Sequence, residues 1–108
     1  MAQQIELAGV SGSIYRYSEL ESGRVLLPAG ANYVIVYTAL AGLEVLYAGE
    51  TENLAEEGWR GILAAIQKQF ADARLMTRLN VSGATRRAEQ EDLISAYAPV
   101  LNRAQSAA

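Results

Sequence analysis

Two tyrosines near the ends of neighbouring apolar segments are the residues from which a chemical function can first be argued. Tyr33 lies in the segment 31–38 and Tyr47 in the segment 43–51. The chain contains no cysteine and no histidine, so it lacks the usual general base and the common transition-metal ligands. A bound metal would be a hard cation on oxygen ligands, and magnesium or manganese is the expected choice. The simpler alternative is that the tyrosines only pack at strand ends.

The segments that carry these tyrosines have the pattern of a β-hairpin. Residues 33–37 read YVIVY, a continuous apolar run that is typical of a strand covered on both faces. Ala41-Gly42 supplies a turn in which glycine adopts positive φ at little cost. The second apolar run, residues 45–48, stops at Gly49. We therefore expect a hairpin at the centre of the fold.

Length and charge set the class of protein and suggest a partner. At 108 residues, the chain is expected to form one domain, 1–108, with one hydrophobic core. Residues 1–59 carry two arginines and eight acids, whereas residues 60–108 carry seven basic residues and four acids. The basic half would suit phosphate groups, although an ordinary solvated surface explains it equally well. Residues 1–6 lack a signal-peptide pattern and no apolar run reaches spanning length, so we expect a cytoplasmic location without membrane partners.

The segments before the hairpin are shorter and less regular. Residues 3–8 fit either a short strand or an ordered arm. Glycine and serine predict a loop at 9–13, and strand-like residues at 14–20 predict a strand. A turn is expected at 21–23.

After the hairpin the pattern becomes helical. Apolar residues recur every three or four positions and predict a helix over 59–72, with Thr51 or Asn53 as a cap. Residues 53–60 are expected to form either a separate turn or a distorted first segment, because they include a poor helix former, Gly58. Residues 74–81 alternate and predict a half-exposed strand that displays Arg74 and Arg78.

A second helix is predicted over 84–97, with Ser82 as a possible cap and an end before Pro99. Its inward face is expected to contain Leu93, Ile94 and Tyr97. Gln90 shares that face by spacing, whereas Glu89, Glu91 and Asp92 are expected to point more to solvent. A hydrogen bond to a neighbouring backbone group is the favoured explanation for Gln90; the alternative is that it borders a site.

Several short motifs, taken in order, resemble the GIY-YIG nuclease superfamily, and more narrowly its small single-domain bacterial members. The similarity covers roughly residues 14–102, and its specificity lies in the order and spacing of the motifs. They are ANY (31–33), LYAGET (46–51), NL (53–54), EDLI (91–94) and YAPVLN (97–102).

The resemblance implies an α+β fold, a three-stranded or slightly larger antiparallel sheet flanked by helices, that cleaves phosphodiesters with one divalent metal. By position, Tyr33 matches a candidate general base or water-orienting residue, and Tyr47 matches a residue that contacts the scissile region. Gly49 matches a glycine where a side chain would crowd the site, and Asn102 matches a late asparagine near the active face. Because the unperturbed phenol pKa is about 10, a tyrosine base needs a nearby metal or cation.

The chain departs from the family pattern at both charged positions. Glu57 occupies the place of the family's arginine, which neutralises phosphate charge, and Gln90 occupies the place of its metal-binding glutamate. The frequent histidine after the arginine helix is also missing. Arg60, three residues after Glu57, lies on the same face if that stretch is helical, and could then replace the arginine. A ligand role for Glu89 or Glu91 would rotate the apolar face out of the core.

Three functions follow from this pattern. The first is a catalytically impaired GIY-YIG-like domain, without a metal, that binds nucleic acid through Arg74, Arg78, Arg86 and Arg87, or binds a protein. The second is an active magnesium- or manganese-dependent endonuclease that uses Tyr33, Tyr47 and Arg60. The third is a domain of similar fold that serves only in protein interaction.

Overall fold

A five-stranded antiparallel sheet organises the chain, of which the computed structural model describes residues 3–20 and 26–102. The order across the sheet is β1-β2-β5-β3-β4. The strands are β1 (Gln4–Ala8), β2 (Ile14–Glu19), β3 (Ala31–Ala39), β4 (Gly42–Thr51) and β5 (Arg74–Leu79). The helices are α1 (Trp59–Gln67) and α2 (Gly83–Tyr97), with a 3-10 helix at Leu54–Glu56. The α+β class is confirmed, but the sheet has five strands and not three, because β1 and β2 extend it beyond β5.

The central hairpin is confirmed as β3 and β4, which pair from Ala31 with Thr51 to Ala39 with Gly42. Gly42 has a φ of 126°, the positive value that was the reason to expect a glycine turn here. The pairing register shifts between Ile35 and Val36, which is a β-bulge or irregularity in the ladder.

The sheet has an apolar layer on each face. On one face Ile35 and Leu75 pack with Trp59 and Ile66 of α1. On the other face Val34, Val36 and Met76 pack with Leu93 of α2. Successive residues of a strand point to opposite faces, so the continuous apolar run of β3 fills both layers, as its pattern predicted.

The prediction of a half-exposed β5 is wrong in part. By alternation Met76 shares the side of Arg74 and Arg78, yet it is completely buried. β5 lies between β2 and β3, and α2 covers that face. An inner strand of a sheet covered on both sides has no solvent face along its middle.

The helices differ from their predicted bounds and faces. α1 ends at Gln67 rather than at residue 72, and Phe70 beyond its end packs against Tyr37 with 4.8 Å between ring centroids. In α2, Ser82 is the N-cap, as predicted, and its side chain accepts a hydrogen bond from the Thr85 amide. The prediction that Glu89 points to solvent is wrong, because its side chain is buried beneath the helix.

The segments between the main strands and helices were also predicted from the sequence. The 3-10 helix occupies the separate turn predicted over 53–60, and the Asn53 side chain caps it through the Ala55 amide. The turn predicted at 21–23 lies outside the described residues. Within 3–20 and 26–102, no helix has the length and apolarity to cross a bilayer.

Candidate functional site

Tyr33 and Tyr47 lie side by side in the apolar layer against α1. Their rings are stacked, with 6.1 Å between centroids and 20° between planes, and only 6% and 7% of the two residues is exposed. Gly49 pairs with Tyr33 across the hairpin. A β-carbon on Gly49 would lie 2.6 Å from the Tyr33 hydroxyl oxygen. The structure thus brings three of the residues named from the sequence, Tyr33, Tyr47 and Gly49, into one cluster.

The surroundings of Tyr33 favour its neutral form. Burial is the main cause that raises the pKa of the Tyr33 phenol, and Tyr47 and the negative charge of Glu50 raise it further. No neighbour in this cluster supplies the opposite effect. A neutral phenol can donate a hydrogen bond at neutral pH, but it is not a base there.

Gln90 and Asn102 meet at the outer edge of β4, at Ala48. The Asn102 side chain accepts a hydrogen bond from the Ala48 amide and donates one to the Ala48 carbonyl oxygen, each at 2.8 Å. The Gln90 side-chain nitrogen donates to the same carbonyl oxygen at 3.1 Å. This is the backbone hydrogen bond that the sequence favoured for Gln90. Both side chains therefore satisfy the free edge of a strand.

Arg60 lies at the start of α1 in an ion pair with Glu57. Its guanidinium lies over the ring of Trp59, 4.8 Å from the centroid, and Trp59 packs in the same layer as Tyr33 and Tyr47. This ion pair places a carboxylate directly on the cation. Arg60 keeps 63% of its side chain exposed, and its charge is matched by Glu57.

Glu89 is a buried acid that the sequence argument missed. Its carboxylate accepts hydrogen bonds from the Tyr17 hydroxyl at 2.6 Å and from the Arg78 Nε at 3.1 Å. Asn80 donates a longer one at 3.4 Å. The spacing of three and four residues places Arg86, Glu89 and Leu93 on one face of the helix. That pattern could have indicated burial, but charged residues are rarely buried unless they are paired.

A second buried ion pair joins α2 to β4. The Arg86 Nε donates to Glu50 at 2.8 Å, and its Nη1 donates to the carbonyl oxygens of Asn80 and Val81. Asn32 in turn donates to the Arg86 carbonyl oxygen. Of the four arginines predicted to meet phosphate, Arg86 is thus buried and bonded within the protein, which removes it from a phosphate-binding surface.

The other three arginines are placed differently from one another. Arg78 pairs with Glu89 and keeps 39% of its side chain exposed. Arg87 lies exposed on α2. Arg74 is half-buried, and its Nε has no hydrogen-bond partner among the described residues.

The candidate ligand side chains do not fit a magnesium or manganese ion. Such ions prefer several oxygen ligands with carboxylate charge. Glu50 and Glu89 are each paired with an arginine, and Gln90 is a neutral amide that brings no such charge. Within residues 3–20 and 26–102 there is no group of three or more aspartate and glutamate side chains that could hold a metal ion. No family model, curated protein or solved structure matches the chain.

Proposed function

We propose that this chain is a GIY-YIG-like domain that does not hydrolyse phosphodiesters and acts as a binding domain. The observation that supports this most directly is the contact of Gln90 with the Ala48 carbonyl oxygen. At the position of the superfamily's metal-binding glutamate, the chain has a neutral amide whose donor is already used by the backbone. Ala48 directly follows Tyr47 of the tyrosine cluster on β4, and Gln90 brings no negative charge there to hold a metal.

The loss of the superfamily's arginine also supports a domain that does not hydrolyse phosphodiesters. Hydrolysis of a phosphodiester needs positive charge where negative charge develops on the phosphate. Glu57 is negative at the position of the superfamily's arginine, and it neutralises the nearby Arg60. With Tyr33 held in its neutral form, the cluster lacks the base, the metal ligand and the phosphate-neutralising cation together.

The proposed ligand is nucleic acid, held by the exposed Arg87 and by Arg74. Phosphate contacts of this kind weaken steeply as salt is added. A gel-shift titration with duplex and single-stranded DNA at low salt is expected to show binding that weakens with added salt and on Arg87→Gln. Absence of binding at low salt would remove nucleic acid as the ligand and leave a protein partner.

A restoration experiment tests the loss of hydrolysis. Gln90→Glu places a carboxylate against the Ala48 carbonyl oxygen and is expected to lower the free energy of unfolding by about 1–3 kcal/mol. Combined with Glu57→Arg, it restores both charges, so manganese is expected to raise the melting temperature and nicking of supercoiled DNA to appear. Gln67→Glu is the matched control, because the Gln67 side chain also donates to a backbone carbonyl, that of Ala73 at 2.9 Å.

The outcomes separate the alternatives. Stabilisation by manganese in the double variant but not in Gln67→Glu supports a preserved site that has lost its charges. Equal responses in both would mean that the geometry of a metal site is absent. Nicking by the unaltered chain, abolished by Tyr33→Phe, would contradict the proposal and identify an active endonuclease.

A further inference from the structure

A groove of about 470 Å³ runs along the outer side of α2, where the loop after β1 and the strands β2 and β5 form its opposite wall. Its floor and walls include Tyr15, Arg78, Thr85, Asp92 and Ser95. It is distinct from the tyrosine cluster, which packs against α1 on the other face of the sheet. A volume of this size suits a small molecule.

The cation of this groove is held in a fixed orientation. The Arg78 Nε is bonded to Glu89, whose side chain is only 2% exposed, and the guanidinium lies 5.7 Å from the centroid of the Tyr15 ring. A guanidinium has five N–H donors, and the four on Nη1 and Nη2 have no partner in residues 3–20 and 26–102. They form the planar fork that binds a carboxylate through two hydrogen bonds.

Two further carboxylates, those of Glu91 and Asp92, line the same groove. Asp92 accepts hydrogen bonds from the Ser11 amide, the Ser11 hydroxyl and the Tyr15 hydroxyl. These bonds lower the pKa of Asp92, so it stays charged at neutral pH. Glu91 is exposed at the groove. Since Glu89 cancels Arg78, Glu91 and Asp92 leave the groove with an excess of negative charge.

We propose that this groove binds a small zwitterion, a free amino acid with a basic side chain. Its carboxylate bonds to the Arg78 fork, and its cationic groups lie near Glu91 and Asp92. The hydroxyls of Thr85 and Ser95, which have no partner among the described residues, are the neutral contacts. A purely anionic ligand is disfavoured by the two carboxylates. This inference does not rest on the proposed function, since the groove residues it uses include neither the tyrosine cluster nor Arg74 or Arg87.

The test uses L-arginine and L-lysine as probes, with acetate, L-glutamate and inorganic phosphate for comparison. Binding is followed by amide chemical shifts of the full chain. We expect L-arginine or L-lysine to shift amides of β2, β5 and the Thr85–Ser95 side of α2, and the three anionic probes to bind at least about tenfold more weakly.

Variants assign the two charges. Glu91→Gln, an exposed change that leaves the fold intact, is expected to weaken binding about tenfold. Arg78→Gln combined with Glu89→Gln removes the fork without leaving an unpaired buried charge, and it is expected to abolish binding. Lys68→Gln, a loss of one charge after α1, is the matched control and is expected to bind like the unaltered chain.

Three results would overturn the proposal. They are shifts no larger for the basic amino acids than for phosphate, unchanged binding in Glu91→Gln, and the absence of any shift in the groove at millimolar probe. A nicking result for the tyrosine cluster, or a gel-shift result for Arg87→Gln, would leave the groove measurement unaffected because none of these residues lines the groove, so the two proposals fail separately.

Discussion

Gly49 has no room for a side chain because the ring of Tyr33 lies over its backbone. A β-carbon there would lie 2.6 Å from the Tyr33 hydroxyl oxygen and 2.7 Å from its Cε2. Tyr33 is itself packed against Tyr47, so it has little freedom to move aside. The stacked tyrosines therefore depend on a glycine at this position.

Gly49→Ala is expected to lower the free energy of unfolding by about 1–3 kcal/mol, because the added methyl group overpacks the cluster. Gly61→Ala is the matched control, since nothing lies within 4 Å of its β-carbon position. That change is expected to raise stability by about 0.5–1 kcal/mol through helix propensity in α1. Urea denaturation measures both, and equal effects would contradict the packing argument.

Tyr17 is expected to make stability fall in alkaline solution. Burial and the hydrogen bond to Glu89 raise the pKa of the Tyr17 phenol in the folded chain. Above the unfolded value of about 10, the unfolded chain loses this proton while the folded chain retains it, so the free energy of unfolding decreases as pH rises. Below that pH the contribution is fully present.

Unfolding titrations from about pH 8 to about pH 11, which span the unperturbed phenol pKa of about 10, check this expectation. Tyr17→Phe removes the titrating group and is expected to flatten the alkaline decline, while it lowers stability at neutral pH by about 1–3 kcal/mol through the lost bond to Glu89. Parallel curves for the two proteins would show that Tyr17 does not contribute to the decline.

At the scale of single elements, the hairpin could be predicted and the exposure of β5 and α2 could not. The run from Tyr33 to Tyr37 is apolar on both faces, and this local pattern suffices for a buried strand. Met76 of β5 is buried because α2 covers that face of the sheet, where Leu93 packs in the same layer. No local pattern in β5 encodes that distant contact.

The end of α2 carries a local strain. Ala98 has φ of 44° and ψ of 56°, and its amide donates to the Ile94 carbonyl oxygen. The left-handed conformation costs a residue with a β-carbon about 1–2 kcal/mol. Pro99 follows and is buried, so the helix must stop here.

Ala98→Gly is therefore expected to raise the free energy of unfolding by about 1 kcal/mol, since glycine adopts this conformation freely. Ala96→Gly is the matched control, because the same change inside the helix is expected to cost about 0.5–1 kcal/mol. Thermal and urea unfolding of both variants measure the opposite signs. A loss of stability in Ala98→Gly would contradict the strain.

At the scale of the whole molecule, a chain of buried polar contacts fastens α2 to the sheet. It runs from Glu50 on β4 through Arg86 and Asn80 to Glu89, and on to Tyr17 on β2. These contacts involve β2, β4 and the end of β5, and Asn32 of β3 bonds to Arg86 beside them. The sequence indicated the apolar stripe of α2 but not this polar half of its inner face, since the partners of each charge come from distant segments.

Arg86→Met is expected to lower the free energy of unfolding by about 1–3 kcal/mol, because the half-buried Glu50 and the carbonyl oxygens of Asn80 and Val81 lose their donor. Arg87→Met, the same change at the neighbouring exposed position, is expected to stay within about 0.5 kcal/mol of the unaltered chain. Chemical denaturation compares them. Similar losses in both variants would mean that the buried pair does not fasten the helix.

The predicted site residues also fall into two groups, those placed by contacts between adjacent segments and those placed by contacts between distant segments. The placement of Tyr33, Tyr47 and Gly49 together follows from hairpin pairing, which adjacent segments determine. The environment of Gln90 and the pairing of Arg78 and Arg86 depend on how α2 crosses the sheet. Their roles could therefore be known only from the folded chain.

The side-chain amide of Asn102 bonds to both the amide and the carbonyl oxygen of Ala48, as one peptide group of a neighbouring strand would. The two residues are 54 positions apart, so during synthesis the outer edge of β4 exists well before the residue that covers it. Until residue 102 has been made, the amide of Ala48, which Gln90 does not cover, is open to pairing with another nascent chain. The last turn of the described chain thus decides how long the nascent protein is exposed to misassembly.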